Sequence, residues 1–360
     1  MSGRQAPEAG AAPVAAGDVL TFGETMVALR GSGPLKLGGA MQVSIAGAES
    51  NVAIGLARLG HAVRWAGAVG DDEAGELVLR TLRAEGVDVS GALHDPQAPT
   101  GLILFEPRLP EVTRVHYYRA GSAGSRLAPD TIEQAFAQRA PRVLHLTGIT
   151  PALSPSALAA TRRALELARA HRSLICLDVN FRARLWSAEA AGAVLRSFVP
   201  HVDVLIASED ELPLCLPPDA RHAPTEPAAA GATADSSGTG PGSGTPGGLG
   251  EAAEQAEFLL AQGIDQVVVK LGADGAVCHT SHGAVRLPAR SVRAVDTVGA
   301  GDAFVAGYLS GLLDGEDTTA CLDRAVTTGA FAVASAGDWE GAPTRAELGL
   351  LGSTPGTVIR

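Results

Sequence analysis

The nine residues Asp296-Thr297-Val298-Gly299-Ala300-Gly301-Asp302-Ala303-Phe304 carry the strongest signal in this sequence. They stand at the start of a predicted helix that continues to Leu313. A helix N-terminus presents unpaired N–H groups and a positive dipole end, and glycines let an anion approach them closely. The stretch therefore predicts an anion hole formed by Gly299, Ala300 and Gly301, with Asp302 beside it as a general base for phosphoryl transfer. From local physics alone, the alternative is a glycine-rich turn whose aspartate only caps the helix.

Around this stretch, apolar runs alternate with helical patterns. Continuous apolar strands between helices indicate a parallel sheet covered by helices on both faces. Two early β-rich stretches, Gly101–Phe105 and Val112–Tyr118, do not fit that scheme and indicate a small accessory sheet. The predicted fold class is therefore α/β, a doubly wound and mainly parallel sheet with a small β-sheet lid. The lid strands are expected within about residues 20–45 and 99–120.

Composition excludes several classes of function. The 360 residues are 46% hydrophobic and 19% charged, which is ample material for a packed core. The net charge of -11 argues against a nucleic-acid partner, because such a protein needs basic residues opposite the phosphates. No run approaches the ~20 apolar residues of a membrane helix. No Walker A, H-E-x-x-H or G-x-S-x-G motif is present. The four scattered cysteines predict buried reduced thiols in a cytoplasmic protein.

Three segments are predicted to lie outside the packed domain. Residues 1–17, rich in Ala, Pro and Gly, predict a flexible tail and no signal peptide, and residues 346–360 predict a C-terminal tail. Residues 217–250 contain eight Gly and six Pro with almost no large apolar side chains. Such a segment cannot bury enough surface to offset its ordering entropy, so it predicts a disordered insertion within one domain, 18–345.

Two segments of the sequence resemble motifs of the PfkB, or ribokinase-like, sugar kinases. Asp296–Asp302 is similar to the family's D-T-x-G-A-G-D signature. The segment Ala46-Gly47-Ala48-Glu49-Ser50-Asn51-Val52-Ala53 resembles its N-terminal glycine-rich element. The resemblance covers about residues 18–343 and implies the ribokinase-like fold, ATP and Mg²⁺ as cofactors, and room for a monovalent cation. It also implies a homo-oligomer formed through the lid.

Three further segments resemble the 2-keto-3-deoxygluconate (KDG) kinases of that family. They are Tyr117–Ser125, Leu146–Leu153 and Asp178-Val179-Asn180-Phe181-Arg182. The resemblance implies a sugar-acid site whose substrate contacts are Gly47, Asn51, Tyr117, Tyr118, Arg119, Arg182, Asp302 and Asp338. Guanidinium groups bind carboxylates through paired, charge-assisted hydrogen bonds, so the two arginines suit an acid. The alternative is that both form surface ion pairs.

The same resemblance implies the residues of the nucleotide site. The implied ATP contacts are Asn180, Arg182, Ser208, Lys270, Gly272, Asp274, Gly275, Gly299 and Gly301. Glu211, with Ser208, occupies the place of the family's N-x-x-E pair, which implies an indirect role in holding Mg²⁺. The chain departs from the family at Ser208, at Val326 where relatives often carry an Asn near the adenine, and at Ile103 where some KDG kinases carry a Tyr.

The predicted reaction transfers the ATP γ-phosphoryl group to a primary hydroxyl of a 2-keto-3-deoxy sugar acid, with KDG as the expected substrate. Two alternatives stay open. One is another sugar kinase of the same family, acting on fructose, ribose or a nucleoside. The other is a regulator that binds a sugar acid on an inactive kinase fold. His145 is assigned no role, because its neighbours on the predicted strand are apolar and a buried histidine is expected there.

Overall fold

The computed structural model describes residues 19–109, 112–218 and 248–352. Its strands are β1 (Val19–Phe22), β2 (Met26–Gly31), β3 (Met41–Ala46), β4 (Val63–Ala66), β5 (Ala68–Gly70), β6 (Leu93–Asp95), β7 (Leu102–Leu109), β8 (Val112–Tyr118), β9 (Val143–Thr147), β10 (Leu174–Asp178), β11 (Val204–Ser208), β12 (Gln266–Lys270), β13 (Ala276–Thr280) and β14 (Gly283–Leu287). Its α-helices are α1 (Ala48–Arg58), α2 (Glu73–Ala84), α3 (Pro129–Gln138), α4 (Pro155–His171), α5 (Ala188–Phe198), α6 (Gly248–Ala261), α7 (Ala300–Asp314) and α8 (Thr318–Val333).

The main sheet has eight strands in the order β14-β13-β12-β11-β10-β9-β1-β4. The six strands from β12 to β4 pair in parallel, and β13 and β14 add an antiparallel edge. Helices α3 to α6 bury their apolar side chains against one face, and α1, α2, α7 and α8 against the other. The inner strands are buried on both faces, which explains their uninterrupted apolar sequence. The predicted α/β class and mainly parallel sheet are confirmed.

A second, four-stranded sheet, called the small sheet below, has the order β3-β2-β7-β8. The sequence pattern predicts one strand over 18–29, but the structure has two, because the chain leaves β1 at Gly23 and enters the small sheet at Met26. One face of the small sheet carries a cluster of apolar side chains that packs against Val298 of the glycine-rich stretch. The small sheet therefore lies over the start of α7.

Helices α1 and α7 approach each other closely at Gly55 and Ala306. A Cβ added to Gly55 would lie 2.7 Å from the Cβ of Ala306. Asn51 and Asp302 each precede this contact by four residues, one helical turn. The missing side chain at Gly55 therefore lets the first turns of the two helices meet.

Several expectations concern residues outside the described part of the chain. The predicted tail 1–17, most of the predicted insertion 217–250 and the end of the predicted tail 346–360 lie there. Within the described ranges, Arg345–Gly352 forms a 3₁₀ helix. None of the described helices combines the length and the apolarity that crossing a bilayer requires. All four cysteines are buried, and no disulfide joins them.

Candidate active site

The predicted base, Asp302, lies in the first turn of α7 and is buried. Asn51 of α1 donates a hydrogen bond of 2.8 Å from its Nδ2 to Asp302 Oδ2. Asn180, which follows β10, donates a longer one of 3.4 Å to Oδ1. The other amide atom of Asn51, Oδ1, is buried and has no partner. A buried acceptor without a donor is costly, so this atom suits a bound hydroxyl group.

Burial raises the pKa of Asp302 to about 7. The hydrogen bond from Asn51 lowers this pKa, the nearby carboxylate of Asp178 raises it, and the charges of Arg182 and Lys270 lower it. A carboxylate whose pKa lies near neutrality is well matched to accept and release a proton at physiological pH.

The anion hole predicted at Gly299, Ala300 and Gly301 lies at the N-terminus of α7. Gly299 has a φ of 74°, and a Cβ there would collide with the backbone carbonyl oxygen of Asp338. Gly301 faces open space, because the nearest atom to a Cβ placed there is Lys270 Nζ at 3.9 Å. The helix N-terminus therefore has room for an anionic group next to a lysine ammonium group.

The carboxyl ends of β10, β11 and β12 form the edge of the main sheet beside this helix. Lys270 at the end of β12 donates a hydrogen bond of 2.7 Å to Asp178 Oδ1 at the end of β10. Burial alone would lower the pKa of Lys270, but Asp178, Glu211 and Asp302 together raise it, so the ammonium stays charged. Ligands of open α/β sheets bind at this edge.

Glu211 holds two backbone segments at the same edge. Its Oε1 accepts a hydrogen bond of 2.8 Å from the backbone N–H of Phe181, and its Oε2 accepts one of 2.9 Å from Ser208. Within the described ranges, no three His, Cys, Asp or Glu side chains are grouped to hold a metal ion.

The predicted nucleotide contacts that follow β12 lie in a short exposed turn. Gly272 and Asp274 belong to a 3₁₀ turn that Gly275 ends. Asp274 is exposed, and no described atom lies within 4 Å of a Cβ placed on Gly272. The turn is therefore accessible from the solvent beside the end of the main sheet.

The two tyrosines of the small sheet point to opposite faces. Tyr117 pairs with Ile103, whose side chain belongs to the apolar cluster that faces Val298. Its ring centroid lies 5.7 Å from the Arg119 guanidinium carbon. Tyr118, the next residue along the strand, points to the other face and is 59% exposed. The structure therefore brings Tyr117, and not Tyr118, to the side of the small sheet that faces the site.

Arg119 and Asp338, both predicted to contact substrate, are already paired with residues that the sequence analysis did not assign. Arg119 forms a salt bridge of 2.5 Å with Glu24. Asp338 forms one of 2.9 Å with Arg30 of β2, whose guanidinium also lies 3.2 Å from Asp296. The pKa of Asp338 is raised to about 6 because the side chain is buried, although the nearby charge of Arg30 acts in the opposite direction. The salt bridges of Arg30 connect the small sheet to two segments beside the N-terminus of α7, because Asp296 precedes this helix and the carbonyl oxygen of Asp338 lies against Gly299.

The remaining predicted positions are less constrained. Gly47 precedes the first residue of α1, next to the site. Arg182 is exposed, and its Nη1 donates to the carbonyl oxygen of Phe181. Val326, on α8, is buried in the core that α8 forms with α7. His145 is buried, accepts or donates a hydrogen bond of 2.9 Å with Thr21, and has its pKa lowered to about 3 by burial. Its other ring nitrogen, Nε2, is buried without a hydrogen-bond partner.

Three charged side chains at the site escaped assignment from the sequence. Asp178 belongs to a quoted motif, yet its partner, Lys270, is 92 residues away. Glu24 is an isolated acid inside a predicted apolar strand, and this is the one signal that pointed to it. Arg30 ends the same run. Such buried charges need partners, and the sequence alone does not name them.

Comparison with known proteins places the chain among carbohydrate kinases. The family model for the pfkB family of carbohydrate kinases matches residues 16–345. The 2-dehydro-3-deoxygluconokinase of Bacillus subtilis (strain 168) is 35% identical over 95% of this chain and 97% of its own. The enzyme of the same name from Thermoproteus tenax is 33% identical over 91% and 92%. A 2-dehydro-3-deoxygalactonokinase of Haloferax volcanii is 30% identical over 87% and 90%.

Solved structures of similar fold are also known. A PfkB protein from Polaromonas sp. JS666 superposes with a TM-score of 0.74 at 34% identity, covering 92% of this chain and 98% of that one. A putative ribokinase II from E. coli, solved with ATP and Mg²⁺, superposes with a TM-score of 0.77 at 22% identity, covering 93% and 98%. The predicted ribokinase-like fold is confirmed.

Proposed function

We propose that this chain, which belongs to the pfkB family of carbohydrate kinases, phosphorylates 2-keto-3-deoxygluconate (KDG, or 2-dehydro-3-deoxygluconate) on its 6-hydroxyl group at the expense of ATP. The observation that carries the proposal is the meeting of Asp302, held by Asn51, with the open N-terminus of α7 and the ammonium group of Lys270. Relatives named 2-dehydro-3-deoxygluconokinase, at 33% and 35% identity, support the choice of substrate.

In the proposed reaction, Asp302 accepts the proton of the sugar's primary hydroxyl group. The hydroxyl oxygen forms a bond to the γ-phosphorus of ATP, and the bond from that phosphorus to the β–γ bridging oxygen breaks, so that ADP leaves. The N–H groups at Gly299–Gly301 and the ammonium of Lys270 stabilise the charge on the transferring phosphoryl group. The small sheet limits the access of water to these atoms.

The nucleotide is proposed to lie along the carboxyl ends of β10, β11 and β12 and the exposed turn at Gly272. The family's use of ATP, together with a structural neighbour that contains ATP and Mg²⁺, supports this choice. Mg²⁺ would be held by phosphate oxygens beside Asp178, with Glu211 fixing the backbone around it, and would neutralise phosphate charge. The monovalent cation stays a prediction.

The sugar acid is proposed to lie between the small sheet and α1. Arg119 and Arg182 are assigned to its carboxylate, and Asn51 Oδ1 to one of its hydroxyl groups, because that atom has no partner within the protein. Asp338 and Tyr117 complete the proposed pocket. A carboxylate-reading site of this kind distinguishes the acid from neutral sugars such as fructose and ribose.

The decisive experiment measures ATP consumption by the purified protein with KDG, its galacto epimer, fructose and ribose. We expect KDG to give a kcat/KM at least about 100-fold above that of fructose or ribose, because the neutral sugars leave the arginines unpaired. Mass spectrometry of the product should locate phosphate at C6. A preference for a neutral sugar would move the chain to another branch of the family. Binding of KDG without ATP turnover would favour the regulator.

We further propose that the protein forms a homo-oligomer through the small sheet and acts in the cytoplasm. Large apolar side chains are exposed on or beside this sheet, namely Leu35, Leu37, Val43, Leu109, Val112 and Tyr118. A patch of exposed apolar residues is a common sign of an interface. Four buried cysteines without a disulfide suit a reducing compartment that supplies ATP. Sedimentation of the wild type and of Leu37→Glu tests the assembly.

A further inference from the structure

The chain passes between the main sheet and the small sheet four times, and all four crossings meet at Glu24. Glu24 itself lies in the first crossing, between β1 and β2. In the second crossing, a Cβ on Gly47 would lie 2.5 Å from the carbonyl oxygen of Glu24. In the third, a Cβ on Gly101 would lie 2.6 Å from its Oε1. In the fourth, a Cβ on Gly124 would collide with its Cγ. Three glycines therefore leave room for one buried acid at the junction of the two sheets.

The carboxylate of Glu24 is fully engaged by the fourth crossing. Its Oε2 accepts a hydrogen bond of 2.6 Å from Arg119 Nε and lies 2.5 Å from Arg119 Nη2 in a salt bridge, and its Oε1 accepts a hydrogen bond from Ser122 Oγ. The Glu24 side chain is 1% exposed and that of Arg119 is 13% exposed. Glu24 is thus a fixed partner of Arg119 and has no free oxygen for a ligand of its own.

The pairing leaves one edge of the arginine for another acceptor. A guanidinium group carries five N–H donors in a planar fork, and Glu24 takes the edge formed by Nε and Nη2. The edge formed by Nη1 and the second hydrogen of Nη2 can also bind a carboxylate in bidentate fashion. Because Tyr117 lies 5.7 Å from the guanidinium carbon, one side of the group is also bounded. The orientation of the remaining edge is therefore set by Glu24.

We propose that Glu24 is a positioning residue for acid recognition, which holds Arg119 so that its remaining edge faces the carboxylate of the substrate. The inference rests on the proposed function, because it needs an anionic substrate. Glu24 acts from the junction of the two sheets, so the orientation of Arg119 is fixed relative to the main sheet as well as to the small sheet. Selection of the acid then depends on a residue that does not touch it.

The test compares Glu24→Gln with the wild type on KDG and on fructose, a neutral sugar. The substitution keeps the size of the side chain and removes its charge. We expect the KM for KDG to rise roughly tenfold, the ratio that corresponds to one hydrogen bond to a charged group. The kcat with KDG, the KM for ATP and the KM for fructose should each change by less than about twofold, because Asp302 and the anion hole are untouched.

Two further variants separate positioning from a general loss of structure. Asp314→Asn removes a carboxylate that pairs with Arg324 and Arg345 at the opposite end of α7, and it should lower Tm without changing the KM for KDG. Arg119→Met removes the group through which Glu24 is proposed to act. In that background, Glu24→Gln should cause no further rise in the KM for KDG.

Three results would overturn the inference: an unchanged KM for KDG in Glu24→Gln, an equal rise for KDG and fructose, or additive effects in the double variant. If Glu24→Gln does not fold, Glu24→Asp keeps the charge but withdraws it by one methylene group, and the same shift confined to KDG is expected. The activity of the wild type on KDG tests the proposed function separately. A wild type inactive on KDG and its epimer would overturn both.

Discussion

Asn51 Nδ2 lies 2.8 Å from Asp302 Oδ2, and this contact joins the first turns of two helices that are 251 residues apart in sequence. The hydrogen bond fixes the direction of the carboxylate and leaves its other lone pairs for a substrate hydroxyl group. It also lowers the pKa of Asp302, which burial and Asp178 raise. The pair therefore sets both the geometry and the protonation of the proposed base.

Replacement of the base should abolish turnover. Asp302→Asn keeps the shape of the side chain and the start of α7, but an amide cannot accept the hydroxyl proton. We expect kcat to fall by about 10²–10⁴-fold with little change in the KM for KDG. A steady-state assay of the purified variant checks this, with Asp314→Asn at the other end of α7 as the control. A kcat near that of the wild type would exclude Asp302 as the base.

The pH dependence of kcat/KM should follow Asp302. Its pKa is raised to about 7, mainly by burial, and only the deprotonated form can act as a base. Activity should therefore be full above that pH and fall as the pH is lowered through about 7. Asp178→Asn removes a charge that raises this pKa, so its acid limb should move to lower pH. An acid limb that does not move would contradict the assigned coupling.

The burial of Asp302 should reduce the free energy of unfolding when its carboxyl group is ionised. A carboxyl group whose pKa is higher in the folded than in the unfolded chain reduces stability as the pH rises from about 4, the ordinary value, to about 7. Asp302→Asn should therefore unfold at a higher temperature than the wild type at pH 8, and the difference should shrink toward pH 4. Thermal unfolding at both pH values is the measurement. A variant less stable at pH 8 would contradict the prediction.

Arg119 should distinguish acids from neutral sugars. Loss of one partner of a desolvated charge pair costs about 2–5 kcal/mol, so Arg119→Ala should lower kcat/KM for KDG by roughly 30-fold or more. Arg119→Lys should recover only part, since a point charge does not reproduce the planar fork. The kcat/KM for fructose should fall much less. Equal losses for both substrates would mean that Arg119 supports the small sheet or the phosphates.

Gly299 should tolerate no side chain. Its φ is 74°, and a Cβ there would collide with the carbonyl oxygen of Asp338. Gly315, at the other end of α7, has a φ of 77° and no atom within 4 Å of such a Cβ. Gly315→Ala should cost about 1–2 kcal/mol with an unchanged kcat, whereas Gly299→Ala should cost more and remove activity. Urea unfolding and turnover of the two variants test the difference, and equal effects would contradict it.

The sequence predicts the glycine-rich stretch at the start of α7 and the alternation of strands and helices, because both depend on residues that are close together in the chain. Periodic apolar residues report which face of an element is buried, and they predicted the α/β class and the parallel sheet. The helix beginning at Ala300 follows from nearby residues as well. The single strand expected over 18–29 is wrong, because three residues, Gly23 to Thr25, are enough to carry the chain from one sheet to the other between two short apolar runs.

Only the tertiary structure decided how the charged residues of the site are paired. Glu24 with Arg119, Arg30 with Asp338 and Lys270 with Asp178 join residues that are 92 to 308 positions apart. A buried charge requires a partner, but the energy of a pair depends on distances of a few ångströms that the order of residues does not contain. The sequence determined which helix end holds the proposed base. The packing of Gly55 against Ala306, and the crossing of the chain at Glu24, determined which side chains reach it.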